Sequence, residues 1–130
     1  MDAMTIGGLA AAGGVGVETI RYYQRRALMA EPARGPYGGV RRYGAADLQR
    51  LRFIRAAQEA GFTLDQIGEL IALDAGTDRV RARALAIEQI AALDARIAAL
   101  TTARGALARL AHDCERRESG PCPILAAFET

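Results

Sequence analysis

The sequence predicts a mainly α-helical protein with a helix-turn-helix head, one long helix and a short cysteine-bearing tail. Three observations predict it. Two short apolar-faced segments are separated by Gly13-Gly14-Val15-Gly16. The run from Arg79 to Ala111 holds no proline and no break apart from Gly105. Tryptophan is absent and aromatics make up 5% of the chain, which suits an alanine-rich helical chain better than a sandwich or barrel. At 130 residues there is room for one compact domain, or a small one with an extended appendage.

Composition narrows the functional classes. Hydrophobic residues reach 51% and charged ones 25%, so the chain can bury a core and is no disordered tail. No apolar run approaches the roughly 20 residues that span a bilayer, and the first residues lack a charged-then-apolar signal pattern. The expectation is a cytoplasmic protein without a membrane partner. Two cysteines do not make a disulfide-stapled scaffold. The formal charge of +2 hides an asymmetry: residues 1–60 hold nine Arg against five acids, residues 61–130 eight Arg against ten acids. A basic head on an acidic second half suggests a polyanion-binding head.

The first segment, Ile6 to Ala12 behind Thr5, puts Ile6, Leu9 and Ala10 on one helical face. After the glycine turn, Val17 to Arg26 puts Val17, Ile20 and Tyr23 or Gln24 on another, with arginines outside. That is a helix-turn-helix pattern, shared with many αα-corners that bind nothing. Glu31 to Gly44 carries two prolines and four glycines and reads as a loop or small hairpin. Its three arginines and two tyrosines suit a loop lying along a phosphate strand, though a solvated surface loop would look similar. Ala45–Ala60 reads as an amphipathic helix with Leu48, Leu51, Phe53, Ile54 and Ala57 inward, stopped by Gly61. Thr63-Leu64-Asp65-Gln66 is a capping-box pattern opening a helix to Leu73, with Ile67, Leu70 and Ile71 inward. Residues 74–78 break it.

The 33 positions from Arg79 to Ala111 would make a helix of roughly 50 Å. Ile90, Leu93, Ile97, Leu100 and Leu107 recur in alternating steps of three and four, with Arg104 at one seam position. A stripe that long cannot be buried within so small a head. A second copy is the simplest partner, and folding back on its own domain is the alternative. The tail from His112 is expected to be a polar loop bracketed by Cys114 and Cys122, followed by a last apolar turn from Ile124 to Phe128.

Eight positions separate the cysteines, with Gly120 and Pro121 between. This is neither C-x-x-C nor a four-cysteine zinc or iron–sulfur set. Two thiolates across a flexible loop suit a soft cation: Cu(I), Ag(I), Au(I) and Hg(II) all accept two sulfurs. An inert pair and a redox pair using Cys114–Cys122 oxidation are the alternatives. No general base lies near either thiol in sequence, and the one histidine has no nucleophile beside it, so an enzyme is not expected.

Nearly end to end, the chain resembles the MerR family of metal-responsive transcription regulators, in its mercury- and copper-sensing branch. The likeness is carried by Thr5-Ile6-Gly7, by Val17-Glu18-Thr19-Ile20-Arg21-Tyr22-Tyr23-Gln24-Arg25 and by Gly39-Val40-Arg41-Arg42-Tyr43. Arg52-Phe53-Ile54, Gly61-Phe62-Thr63-Leu64 and Cys122-Pro123-Ile124 extend it. The resemblance implies a winged helix-turn-helix head over residues 1–75 and a dimerisation helix over 76–111 forming an antiparallel coiled coil. It also implies a metal-binding loop and turn over 112–130. Such homodimers sit on double-stranded promoter DNA and, on binding metal, distort it until both promoter elements face RNA polymerase.

Carried over by position, Arg21 and Tyr22 should face groove and phosphates, with Arg25 backing them. Arg41, Arg42 and Tyr43 of the wing should hold flanking phosphates. Tyr23 divides between core and phosphate contact, and Glu18 between a cytosine amino group and helix capping. Cys114 and Cys122 are the implied metal ligands. The chain departs from divalent-ion sensors at the start of the dimerisation helix, where their third cysteine is replaced by Arg79. Two thiolates and a monovalent ion leave one negative charge that a nearby Arg79 can neutralise, whereas a divalent ion leaves none. The head and wing nevertheless look more like mercury regulators, and Hg(II) tolerates two sulfurs. His112, near a helix C-terminus, is expected at the surface or in a capping role, with a third-ligand role as the alternative. A sensor of organic molecules is disfavoured, because the tail after residue 111 is too short for a separate ligand pocket.

Overall fold

The computed structural model describes residues 3–35, 38–74, 78–117 and 119–129. Six helices follow in order: α1 Ile6–Gly13, α2 Val17–Arg25, α3 Ala45–Glu59, α4 Leu64–Asp74, α5 Arg79–Arg116 and α6 Pro123–Phe128. The protein is mainly α, and the described residues contain no named strand, only a single antiparallel bridge between Met4 and Tyr43. The chain divides into two compact units, residues 1–86 and 87–130.

In the first unit the helix starts and stops follow from local chemistry. Thr5 Oγ1 accepts from the Gly8 amide at 3.1 Å, closing the first turn of α1. Gly14 ends α1 in the left-handed region at φ +70°, which glycine enters without steric cost. Thr63 and Gln66 form the reciprocal box the sequence suggests: the Gln66 amide donates to Thr63 Oγ1, and the Thr63 amide to Gln66 Oε1. At α3, Asp47 Oδ2 accepts from the Gly44 amide at 2.8 Å.

The core gathers Leu9 and Ala10 of α1, Ile20 and Tyr23 of α2, Leu48, Leu51 and Ile54 of α3, and Ile67 of α4. Leu28, Met29 and Tyr43 join from irregular segments. Phe53, expected inward, is 39% exposed. The three buried positions on α3 fall three apart, and one helical step of about 100° carries residue 53 off that face. α1 and α3 approach so closely at Gly13 that a Cβ there would stand 2.2 Å from Leu51 Cδ2.

α5 is longer than its apolar run suggests. It continues past Ala111 to Arg116 and so carries His112, Asp113 and Cys114 as helical residues. Asp78 Oδ1 accepts from the Arg81 amide at 3.0 Å at its start. Residues 75–77, read as part of a helix break, lie outside the described residues. In the second unit Ile90, Ile97, Leu100 and Leu107 stand exposed along α5. No helix among the described residues is long and apolar enough to cross a membrane.

Candidate functional site

Two chemically distinct sites emerge, one in each unit. In the first, α2 and the Glu31–Gly44 segment flank an open groove of about 480 Å³ lined by Arg21, Arg25, Arg34 and Arg41, with Glu31 its one acid among the described residues. Three of these, Arg21, Arg25 and Arg41, are guanidiniums that the family resemblance assigns to DNA; Arg34 joins them from the loop.

The arginines are not equally committed. Arg21 Nη1 reaches Glu18 Oε1 at 2.8 Å within α2. Arg41 Nε lies 3.2 Å from Glu31 Oε1 and donates to the Pro32 carbonyl at 2.9 Å, so it braces its own loop. Arg25 meets no acid among the described residues; its guanidinium carbon stands 5.7 Å from the centre of the Tyr22 ring. Arg26 lies at 5.9 Å from the same ring, donates to the Tyr22 hydroxyl at 3.0 Å and pairs with Asp65 Oδ1 at 2.8 Å. The Tyr22 hydroxyl and the Asp65 carboxylate hold the Arg26 guanidinium above its ordinary pKa, so it stays charged. Nothing in the sequence marks Arg26 for this role. An arginine immediately after a helix and an aspartate near the start of a later one gave no local signal that they meet.

Two tyrosines have structural places. Tyr23 is buried, which raises its phenol above the ordinary value against the opposing pull of Arg55, and its hydroxyl donates to Gln58 Oε1. That selects the core from the two roles the sequence allowed. Tyr43, expected on the phosphates, is only 2% exposed. Its backbone pairs with Met4 in both directions at 2.8 Å, and its hydroxyl accepts from Gln24 Nε2 at 2.9 Å. Tyr43 therefore ties the wing segment to α2 and the N-terminal segment, and its ring is core. Arg42 is exposed on that segment. Pro36 and Tyr37 lie outside the described residues.

In the second unit, Cys114 on the last turns of α5 and Cys122 at the N-cap of α6 bring their sulfurs to 3.4 Å, as free, partly buried thiols in hydrogen-bonded contact. Gly120, at φ +96°, turns the chain between them. The backbone amides of Leu125 and Ile124 and the Cys114 thiol lower the Cys122 pKa, the Leu125 amide most. The Cys114 thiol is raised, chiefly by its hydrogen bond with Cys122. His112 is exposed, two positions before Cys114 on the same helix, a spacing that does not place two side chains side by side. No group of three or more His, Cys, Asp or Glu able to hold a metal occurs among the described residues. Arg79 is exposed at the opposite end of α5 from Cys114.

Comparison with known proteins finds relatives along nearly the whole chain. The family model for MerR HTH regulatory proteins matches residues 4–73, and the model described as MerR, DNA binding, matches residues 48–110. A mercuric resistance operon regulatory protein of Pseudomonas fluorescens is 42% identical over 130 residues, covering 99% of this chain and 90% of the relative. The crystal structure of a transcription regulator from Ralstonia metallidurans in complex with lead(II) superposes with a TM-score of 0.75 at 32% identity, covering 96% of this chain and 98% of that one. A MerR transcriptional regulator from Bacillus megaterium in complex with mercury(II) gives 0.70 at 32% identity, with 98% and 100% covered. These are transcription regulators and not enzymes, and with helix-turn-helix head, long helix and end-to-end likeness all in agreement, the chain belongs to the MerR family of HTH regulatory proteins.

Proposed function

We propose that the protein is a dimeric, metal-responsive transcription regulator of the cytoplasm whose inducer is one soft cation held between Cys114 and Cys122. The candidates are Cu(I), Ag(I), Au(I) and Hg(II). The observation that carries this is the 3.4 Å convergence of two free thiols from separate helices. Donor chemistry fits: both ligands are sulfur, both partly buried, and soft ions take thiolate before oxygen. The span fits after a small adjustment. Metal–sulfur bonds of about 2.3 Å place two opposed sulfurs about 4.6 Å apart, so linear binding asks the Cys122 turn to open by roughly an ångström. Gly120 is where the chain can give.

The mercury and lead partners of the relatives support the same ligand class. The site's charge favours a monovalent ion: in an antiparallel pair the start of one α5 lies beside the end of the other, so Arg79 of one protomer then meets the net negative sulfur pair of its partner. Residues 1–75 act as the DNA-binding head and α5 as the dimerisation helix, its exposed Ile90, Ile97, Leu100 and Leu107 forming the seam of an antiparallel coiled coil. Because α5 runs to Arg116, the sensing segment 112–130 comprises the last turns of that helix, the turn and α6. Arg21, Tyr22 and Arg25 address groove and phosphates of promoter DNA, Arg41 and Arg42 the flanking backbone, and Tyr43 supports the wing from beneath. Metal uptake alters the paired heads, and the DNA distortion that follows presents the promoter to RNA polymerase.

Run-off transcription with each ion in parallel, alongside gel shift, tests the reading. Cys122→Ser should abolish induction and leave operator binding intact. A Cys114→Ser/Cys122→Ser protein that still switches transcription on with any of these ions would refute it.

A further inference from the structure

We infer that Cys114 and Cys122 are also a reversible two-electron couple, so that a peroxide-class oxidant closes the metal site as an intrachain disulfide and silences the metal response. The inference rests on the metal reading above and adds its regulation.

Geometry places the pair between two mutually exclusive outcomes. The sulfurs stand 3.4 Å apart. A disulfide needs them about 1.3 Å closer, at about 2.05 Å. A linearly held ion needs them about 1.2 Å further apart. Displacements of similar size in opposite directions therefore lead to opposite states, each consuming both sulfurs. The backbone can supply either movement. Cys114 is fixed on α5 and Cys122 opens α6, but Gly120 between them adopts φ +96° in a bend of Ser119-Gly120-Pro121 with open space where a Cβ would stand. Both thiols are partly exposed and reachable by a small oxidant. No third cysteine exists in the chain to compete for the pairing.

The chemistry balances with hydrogen peroxide as oxidant. One thiolate attacks a peroxide oxygen; the O–O bond breaks, hydroxide leaves and takes up a proton as water, and the sulfur becomes a sulfenic acid. The second thiol, 3.4 Å away, attacks that sulfur. The S–S bond forms, the S–O bond breaks, and a second water leaves. Two thiols and one peroxide give one disulfide and two waters. A dithiol reductant returns both electrons by exchange and reopens the site.

The test uses the full-length reduced protein freed of reductant, hydrogen peroxide, and Hg(II) as the metal probe under competition with a thiol-free chelator. One equivalent of peroxide should lower the intact mass by two hydrogens and leave a monomer on a non-reducing denaturing gel. Hg(II) uptake should weaken roughly 100-fold or more, since coordination needs free thiolates, and recover after reduction. Preloading with Hg(II) should protect both thiols from peroxide. Reduced protein that takes up Hg(II) but is oxidised only to chain-to-chain disulfides or sulfinic acids overturns the gate and leaves the metal reading standing. So does an intrachain disulfide form that binds Hg(II) unchanged. Reduced protein that takes up no Hg(II) overturns the metal reading and the gate with it.

Discussion

Arg26 Nη1 donates to the Tyr22 hydroxyl at 3.0 Å, while Nη2 of the same guanidinium holds Asp65 at 2.8 Å across to α4. That bond engages one acceptor lone pair of the phenol and leaves its O–H to donate, with a DNA phosphate as the acceptor in the bound state proposed above. Arg26 thus orients a neighbour as well as carrying charge. Arg26→Lys keeps the charge and loses the planar fork. It should weaken operator binding several-fold in the parent protein and cost nothing further in a Tyr22→Phe background, where the oriented hydroxyl is gone. A double-mutant cycle of operator affinities reads the coupling directly; additive penalties would remove Tyr22 from the pathway.

The groove arginines should differ in how they respond to salt. Each phosphate neutralised by a free cation contributes a slope of about −0.9 in log affinity against log salt. Arg25 meets no acid among the described residues, whereas Arg21 and Arg41 arrive already paired with Glu18 and Glu31. Breaking those pairs leaves carboxylates that recruit cations of their own. Arg25→Ala should therefore flatten the slope by nearly one counterion, and Arg21→Ala or Arg41→Ala by clearly less. Equal slopes for all three would mean that the ion pairs persist on DNA or that none of the three meets a phosphate.

What the chain revealed beforehand was whatever depends on local pattern. The Thr63–Gln66 box and the glycine turn after α1 are chemistry within four residues, and each stands where the spacing put it. Leu28, Met29 and Tyr43 escaped because they are buried from irregular segments, where no period marks an inward face. Phe53, expected inward beside Ile54, lies off the face set by positions 48, 51 and 54. Polar residues after Ala111 suit a loop, yet none of them through Arg116 stops a helix, so α5 runs beyond the end its apolar pattern suggests. That shift changes the site: Cys114 stands on a rigid element, and only Cys122 follows the turn.

Gly13 is required by packing. Its φ is ordinary, but a Cβ would sit 2.2 Å from Leu51 Cδ2, and Leu51 is fully buried and cannot swing clear. In an open helix, Gly→Ala would gain up to about 1 kcal/mol. Here the overlap should reverse the sign, and Gly13→Ala should destabilise the head by roughly 1–3 kcal/mol. Urea melts of the single variant and of Gly13→Ala/Leu51→Ala decide it. In the double variant the space vacated by Leu51 should absorb the methyl, so the two penalties should be less than additive.

The two thiols should titrate apart. The Cys122 pKa is lowered, by the Leu125 amide first and then by Cys114 and the Ile124 amide, while that of Cys114 is raised by the same sulfur–sulfur hydrogen bond. Alkylation of the apoprotein at neutral pH should mark Cys122 before Cys114, as peptide mass analysis would show. Metal affinity follows with a worked sign. Below both pKa values each ion displaces two protons, so log affinity climbs by about two per pH unit; between them it climbs by about one, and above both it levels off. Alkylation of Cys114 first, or affinity flat across this range, would contradict the order.

Arg79 occupies the first turn of α5, a turn without any acidic residue. A cation there opposes the helix dipole by about 0.3–1 kcal/mol, beside the Asp78 carboxylate that caps the same turn. The proposal is that the site belongs to the other protomer and carries two thiolates around a monovalent ion. Arg79→Ala should then weaken Cu(I) uptake a few-fold, as expected for a partly exposed charge pair, with no gain for divalent ions. Arg79→Cys should supply a third sulfur and raise Cd(II) and Zn(II) affinity at least tenfold, with a new thiolate-to-metal absorption band for Cd(II). Chelator competition on all three proteins separates the charge from the ligand. Unchanged Cd(II) affinity in Arg79→Cys would show that position 79 does not reach the sulfur pair, and the monovalent preference argued from its charge would fall with it.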